Sequence, residues 1–348
     1  MRCLARAELR GVTLFWGLAL AGCTRFVTVD RLPQAYYQTA TPSQDVSGAL
    51  EVAMRAVKRI RVTGAYDNYR FVPGDQPMEG DLLTSEVLAR ATDTFPSSTS
   101  REASAVQVAR AGLKVTLLTN QHPIRFSDTI VEYQETQEGG APTGPRPIEG
   151  VSVLRSQYNM VADSLSVLPF EVLAEDAQAD LALLGVVYPA DTPPRALSTL
   201  RVPMGGSERL SWGSFVYVLG HPGGYDMVTR GIVSDPGRGS SSFFLIDGLW
   251  NEGVSGGPIL AVRGEDETLE WVGVARAAAG RREQRLVPDP ESIPEREERT
   301  LYRGRIYIEE VQRILYGISF SVPTAAIRRF TNRSRPRLRD RGWPLPAY

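Results

Sequence analysis

From about residue 105 onward the chain is written in short apolar runs cut by turn residues. Strand-length runs fall at 105–109, 113–118, 152–155, 170–174, 182–187, 215–219, 231–234, 243–247, 259–262, 271–275 and 318–322. Many short strands at this spacing, with few helical periods between them, predict an all-β fold built as an antiparallel barrel or sandwich. Upstream, Leu50, Val52, Ala53, Ala56 and Val57 fall broadly on one side of a helix predicted over 48–58, capped by Ser47 and followed by a strand over 60–65. A further helix is predicted over 324–330, and a short one near 85–92.

Three stretches interrupt this pattern. Residues 67–102 are rich in Pro, Gly, Ser, Thr and acids, and residues 134–149 carry closely spaced Gly and Pro. Residues 280–316 hold a dense Arg and Glu run around Pro288, Pro290 and Pro294, then a periodic patch over 306–315. All three are expected as surface insertions. An arginine-rich stretch loosens at Pro336, so residues 333–348 are expected as a solvated basic tail.

Composition narrows the class. The chain has 348 residues, 42% hydrophobic and 23% charged, enough for one large globular domain or two small ones. A net charge of -1 excludes a global field that would recruit nucleic acid. Arg2, Arg6 and Arg10 precede an apolar run over 11–22 that is too short to span a bilayer, so residues 1–22 read as a signal peptide. The run ends in Leu20-Ala21-Gly22-Cys23, which resembles the lipobox of bacterial lipoproteins. That resemblance implies cleavage before Cys23, acylation of Cys23 and a lipid-anchored place in the bacterial cell envelope, on the outer membrane or the periplasmic side in a Gram-negative cell. Residues 23–46 then read as a tether. With Cys3 removed and Cys23 acylated, no thiol or disulfide remains, and stability falls to the core.

The candidate chemistry centres on Gly253-Val254-Ser255-Gly256-Gly257-Pro258. A serine among glycines lets the backbone turn tightly, expose the hydroxyl and aim the N–H groups of Gly253 and Ser255 at an oxygen that becomes negative when a carbonyl is attacked. Of the two histidines, His122 follows an apolar strand in Leu118-Thr119-Asn120-Gln121-His122, while His221 reads as a turn residue. Asp180 stands at the start of the buried run Leu181-Ala182-Leu183-Leu184. In the order His122, Asp180, Ser255 these supply a base, an acid that orients it, and a nucleophile.

These motifs resemble the trypsin-like serine proteases, and within them the bacterial HtrA/Deg group. The stretch from Leu118 to His122 is similar to that group's T-N-x-H, Asp180 to Leu184 to its D-L-A-L-L, and the serine loop to its G-x-S-G-G-P. Val218-Leu219-Gly220-His221-Pro222, Gly231-Ile232-Val233-Ser234 and the strand from Gly317 to Pro323 agree in order. The resemblance implies two six-stranded antiparallel β-barrels over residues 47–332. It implies a serine endopeptidase working through an acyl-enzyme, with His122, Asp180 and Ser255 catalytic and Gly253 and Ser255 forming the oxyanion hole. It also implies protein or peptide substrates and neither metal nor cofactor. By position, Leu249 would lie at the base of the first specificity pocket, with Ala275, Arg276 and Ala277 along its wall. That arrangement favours small or medium apolar side chains if Arg276 points away, and opens an acidic preference if it points inward.

Departures from the group's pattern matter too. Val254 stands where Asn or Asp is usual, so it cannot pair with a freed amino terminus, and the order of the oxyanion loop becomes a question. Glu102-Ala103-Ser104-Ala105 replaces G-S-G. The residues after Val322 are too few for a trailing PDZ domain, so neither PDZ regulation nor trimerisation is carried over. The alternative expectation is a catalytically weak protease fold acting as a protein-binding module.

Overall fold

The computed structural model describes residues 35–134, 144–162, 166–237, 243–264, 266–288, 304–346 and 348. The expected signal peptide, Cys23 and most of the expected tether lie outside the described residues. In chain order the elements are α1 (Ser47–Met54), β1 (Val57–Arg70), α2 (Ser85–Leu88), β2 (Asp93–Ala111), β3 (Lys114–Thr119), β4 (Thr129–Tyr133) and β5 (Ile148–Ala162). They continue with β6 (Val167–Pro169), β7 (Glu171–Asp176), β8 (Leu181–Val187), β9 (Phe215–Gly220), β10 (Met227–Asp235), β11 (Phe244–Asp247) and β12 (Pro258–Val262). The last are β13 (Leu269–Pro288), β14 (Ile306–Pro323) and α3 (Thr324–Asp340).

The strands form two antiparallel sheets, as the two-barrel fold requires. The first runs β4-β5-β1-β2-β3-β8-β7, with β6 paired to β5. Only Phe170 separates β6 from β7, and its N–H bonds the Asn159 carbonyl at 3.1 Å. Residues 167–176 therefore act as one bent strand that touches β5 at one end and β8 at the other. The second sheet is a closed barrel, β10-β11-β14-β13-β12-β9.

Strand periodicity explains why so many runs are apolar on both faces. In β8, Ala182, Leu184 and Val186 enter the core of the first sheet, while Leu181 and Leu183 face a second core lying between the two halves. In β12, Ile259 and Ala261 enter the closed barrel, while Leu260 and Val262 face that same intervening core. A strand with alternate residues in two cores has no polar face to show. The intervening core fixes the two halves against each other, and the predicted site residues stand at its edge.

Four expectations change in the structure. The helix predicted over 48–58 ends at Met54, because Val57 and Ile60 are drawn into strand pairing and burial. Its cap also differs: Ser47 is the first helical residue, Val46 is the cap and gives no side-chain bond, and Asp45 Oδ1 accepts the Ser47 N–H at 2.8 Å. The tether expected over 23–46 is docked by residue 37. Tyr37 is fully buried and donates to Glu270 Oε2 at 2.9 Å, and burial raises its phenol pKa well above the ordinary value, with Glu270 adding to the effect. The insertions at 67–102 and 280–316 are largely strand, not irregular loop. Arg70 pairs with Asp93, and Pro288 with Ile306, so each is a long hairpin continuing its sheet. Around 134–149, Ile148 closes the β4–β5 ladder opposite Tyr133, while Arg146 and Pro147 lie against Glu79 and Met78.

The largest change is at the basic tail. The helix runs through Pro336 to Asp340, where local propensity would stop it. Proline inside a helix costs about 3 kcal/mol. Burial offsets this, because Ile327, Phe330, Leu338 and Trp343 all enter the core between the halves. Beyond the helix, Thr116 Oγ1 donates to the Pro344 carbonyl at 2.8 Å, and Tyr348 meets the Trp271 ring edge-on. Gly185 makes room for the Trp343 indole, since a Cβ there would stand 2.6 Å from the ring.

Removing this anchor should be costly. Trp343→Ala is expected to destabilise the chain by about 3–5 kcal/mol, read as a lowered midpoint in denaturant titration.

Candidate active site

β3 and β8 lie side by side, with Thr119 opposite Ala182. That pairing brings the residues beyond the end of one strand to the start of the other, and His122 meets Asp180 there. Asp180 is 4% exposed and has φ of 53°, in the left-handed region that Asp tolerates better than most residues. Its Oδ1 accepts the backbone N–H of Gln121 at 3.1 Å and of His122 at 2.9 Å. Its Oδ2 stands 2.9 Å from His122 Nδ1. Asn120 Nδ2 donates to the Asp180 carbonyl at 2.9 Å, locking the turn. Burial of Asp180 opposes ionisation, but hydrogen bonds from the His122 ring and backbone, with the charges of His122 and Arg276, outweigh it. The carboxyl is therefore held below its ordinary value.

The serine loop closes against the first sheet through a hydroxyl that the sequence did not single out as functional. Ser104, on β2 and fully buried, donates its Oγ to the Gly253 carbonyl at 2.7 Å and accepts the His221 backbone N–H at 2.9 Å. Its own N–H donates to the Ser255 carbonyl at 2.7 Å, and its carbonyl accepts from Thr119 Oγ1 at 2.7 Å. Ser104 thus joins β2, β3, the His221 turn and the serine loop. Within an apolar strand the only signal for it was a small polar residue where alanines would have served.

Two glycines fit the loop to this seam. Gly253 has φ of 101°, and a Cβ on it would stand 2.5 Å from the His221 carbonyl oxygen. Gly256 has φ of 89°, and a Cβ there would collide with the Ser104 carbonyl. Val254 is held by packing. Its side chain is 3% exposed in the closed barrel's core, and its carbonyl accepts the Gly257 N–H at 2.9 Å. Among the described residues no acceptor takes the N–H of Gly253 or of Ser255.

The Ser255 hydroxyl does not bond His122. It donates to the Arg276 carbonyl at 2.8 Å, while Arg276 Nε donates to Asp180 Oδ2 at 3.0 Å, the oxygen that also faces His122. Arg276 thus touches two of the three predicted residues, a contact its side-chain type alone could not reveal. The specificity assignments change accordingly. Arg276 is turned to Asp180 and not into a pocket, and the Ala275 side chain belongs to the barrel core, leaving only its backbone on the loop side. Leu249 is exposed, on the segment between β11 and the serine loop. His221 opens the turn at Pro222–Gly224 and is buried there. Among the described residues no cluster of three or more His, Cys, Asp or Glu could hold a metal ion.

An all-β pair of antiparallel sheets, with a histidine, a buried aspartate and a glycine-flanked serine gathered where they meet, defines a trypsin-like peptidase domain. Residues 103–273 match the family described as trypsin-like peptidase domain. The chain is 34% identical over 136 residues to a probable periplasmic serine endoprotease, DegP-like, of Marinomonas sp. (strain MWYL1), covering 37% of this chain and 26% of that protein. It is 32% identical over 140 residues to the putative serine protease HhoB of Synechocystis sp., covering 37% and 31%. Over 106 residues it is 37% identical to a DegP-like periplasmic serine endoprotease, described as probable, of Ectopseudomonas mendocina, covering 29% and 21%. The chain thus spans about a third or less of the length of these relatives. Its trypsin-like domain is of the HtrA/Deg type.

Two measurements test this geometry. Ser104→Ala leaves the His221 N–H and the Gly253 carbonyl unpaired in the interior and should cost about 1–3 kcal/mol in denaturant titration. Because the Asp180 carboxyl is depressed on folding, it stabilises the fold above the ordinary carboxylate value of about 3.9. That stabilisation is lost as pH falls through the folded value. Asp180→Asn should therefore flatten the acid limb of a stability-against-pH curve relative to the unaltered chain.

Proposed function

We propose that the chain is a serine endopeptidase that hydrolyses peptide bonds of cell-envelope or extracellular proteins through an acyl-enzyme. The observation that carries this reading is the His122–Asp180 pair, with Nδ1 2.9 Å from Oδ2, beside a serine loop with two free N–H groups. Ser255 attacks the carbonyl, His122 takes its proton and later delivers one to the leaving amine, and Asp180 fixes the tautomer and stabilises the imidazolium. The N–H groups of Gly253 and Ser255 receive the oxyanion. For this the hydroxyl must leave the Arg276 carbonyl and turn to the imidazole. Apo sites often tighten such a bond only when substrate is in place. With Arg276 held on Asp180, the residue on the acyl side of the cleaved bond is small or medium in size and apolar, and an acidic preference loses its support.

The envelope address follows from the leader and from relatives described as periplasmic. Acylation at Cys23 then makes the membrane a partner. A second reading is favoured by one observation, the Ser255 hydroxyl bound to Arg276 and not to His122. On that reading the fold is catalytically weak and binds proteins without cleaving them.

A fluorophosphonate probe on the full chain separates the two. Labelling is expected, and it should vanish in Ser255→Ala. No labelling, or equal labelling of that variant, sinks the peptidase reading. If the chain hydrolyses a peptide substrate, Asp180→Asn should lower kcat by about ten-thousand-fold. Metabolic fatty-acid labelling should disappear in Cys23→Ala, and its persistence would refute the anchor.

A further inference from the structure

Arg276 stands at an irregularity in β13. Ala275 pairs with Ser321 and Ala277 with Phe320, so Arg276 is an extra residue without a partner in the register of β14. Such a bulge re-aims a side chain and its own carbonyl away from the ladder. It falls directly after the point where β13 closes on the serine loop. The Ala275 N–H donates to the Gly257 carbonyl at 2.9 Å, and the Ala275 carbonyl accepts the Gly256 N–H at 2.8 Å. One residue on, the Arg276 carbonyl accepts the Ser255 hydroxyl at 2.8 Å, and the guanidinium Nε donates to Asp180 Oδ2 at 3.0 Å. Nucleophile and imidazole are therefore linked through Arg276 and Asp180, and not to each other.

Asp180 is held without this partner. Its Oδ1 takes two backbone N–H groups and its Oδ2 takes the ring Nδ1. Burial has the largest effect on its ionisation and opposes it, the bonds and charge of His122 favour it, and the charge of Arg276 comes last. Exposure is uneven across the pair, 5% for the Asp180 side chain and 36% for that of Arg276. The guanidinium thus reaches in from the solvent side onto a carboxylate already fixed. The other charges at this corner are engaged elsewhere, Arg101 with the His122 carbonyl at 3.0 Å and Arg125 with Glu175 at 2.7 Å. The Arg276 contact works against acyl transfer in two ways. It steadies the bulge whose carbonyl keeps the serine hydroxyl in its resting direction. It also sets a positive charge on the oxygen that faces an imidazole about to become positive, a cost borne by the transition state and not by the neutral resting site.

We propose that Arg276 is a positioning residue that brakes the site: its ion pair with Asp180 pins the bulge, keeps Ser255 turned from His122, and must open before the serine reacts. The proposal rests on the reading of Ser255 as nucleophile. Because the pair is open to solvent on the Arg276 side, dissolved ions screen it, and the brake eases as ionic strength rises.

The rate constant for labelling of the full chain by an uncharged fluorophosphonate tests this, with Ser255→Ala as the blank. Arg276→Met keeps the length of the side chain and removes its charge and donors. It should label about threefold to tenfold faster than the unaltered chain. Arg276→Lys keeps a cation within reach of Asp180 and should bring the rate back towards that of the unaltered chain. Raising salt from about 0.05 M to about 0.5 M should speed the unaltered chain and leave Arg276→Met unchanged. A contact that only supported the structure would slow labelling when removed. An Arg276→Met chain that keeps its thermal midpoint and labels no faster overturns the proposal. Should that variant not fold, a rate of the unaltered chain indifferent to salt overturns it instead. The outcomes also separate the brake from the peptidase. Labelling of the unaltered chain without acceleration in Arg276→Met removes the brake and leaves the peptidase. Labelling of Arg276→Met alone keeps the brake and sinks the peptidase reading of the unaltered chain. No labelling of either sinks both.

Discussion

Everything at the site depends on a single seam, the hydrogen bonds around Ser104. Two sheets packed through an apolar core can slide, because dispersion and hydrophobic burial are weakly directional. Ser104 removes that freedom with three short bonds, to Gly253, His221 and Ser255, while Thr119 of the neighbouring strand holds its carbonyl. The carbonyls of the serine loop are thereby tied to the first sheet while its Val254 side chain is sunk in the second. A loop held from both sides can keep two N–H groups unpaired without collapsing to satisfy them.

The carboxylate of Asp180 is the second fixed point, and its environment is unusual in one respect. Two backbone N–H groups and the imidazole would be enough to hold a buried carboxylate ionised, yet Arg276 is added on the oxygen that faces His122. A guanidinium there strengthens the ionised state of the acid. At the same time it offsets part of the negative field the acid projects towards the imidazole. The carbonyl of the same residue holds the serine hydroxyl, so one residue acts on the acid through its side chain and on the nucleophile through its backbone.

The strands were legible because the chain has two cores flanking the same strands. Leu181-Ala182-Leu183-Leu184 has no polar face to confuse its reading, and the motif spacing of His122, Asp180 and Ser255 carried over to the geometry of the first two. What escaped notice had no local signature. Ser104 is one small polar residue among alanines and valines, and only its partners from distant segments give it meaning. Arg276 could be placed on its loop, but the direction of a long side chain is set by a charge from another sheet. The hairpin arm from Asp93 to Arg101 is exposed on both faces, so no alternation marked it as a strand. Pro336 argued for a helix stop on local grounds and was overruled by the burial of Leu338 and Trp343 on either side of Arg341.

The anchoring of residues 338–348 has a consequence for timing. A chain that emerges amino terminus first presents His122, Asp180 and Ser255 well before Trp343, Leu345 and Tyr348 reach the core between the sheets. Until those residues arrive, the surfaces of β3, β8, β9 and β12 that face one another lack part of their shared filling. Completion of that core is therefore a late event in the life of each molecule, set by the order in which the polypeptide is made.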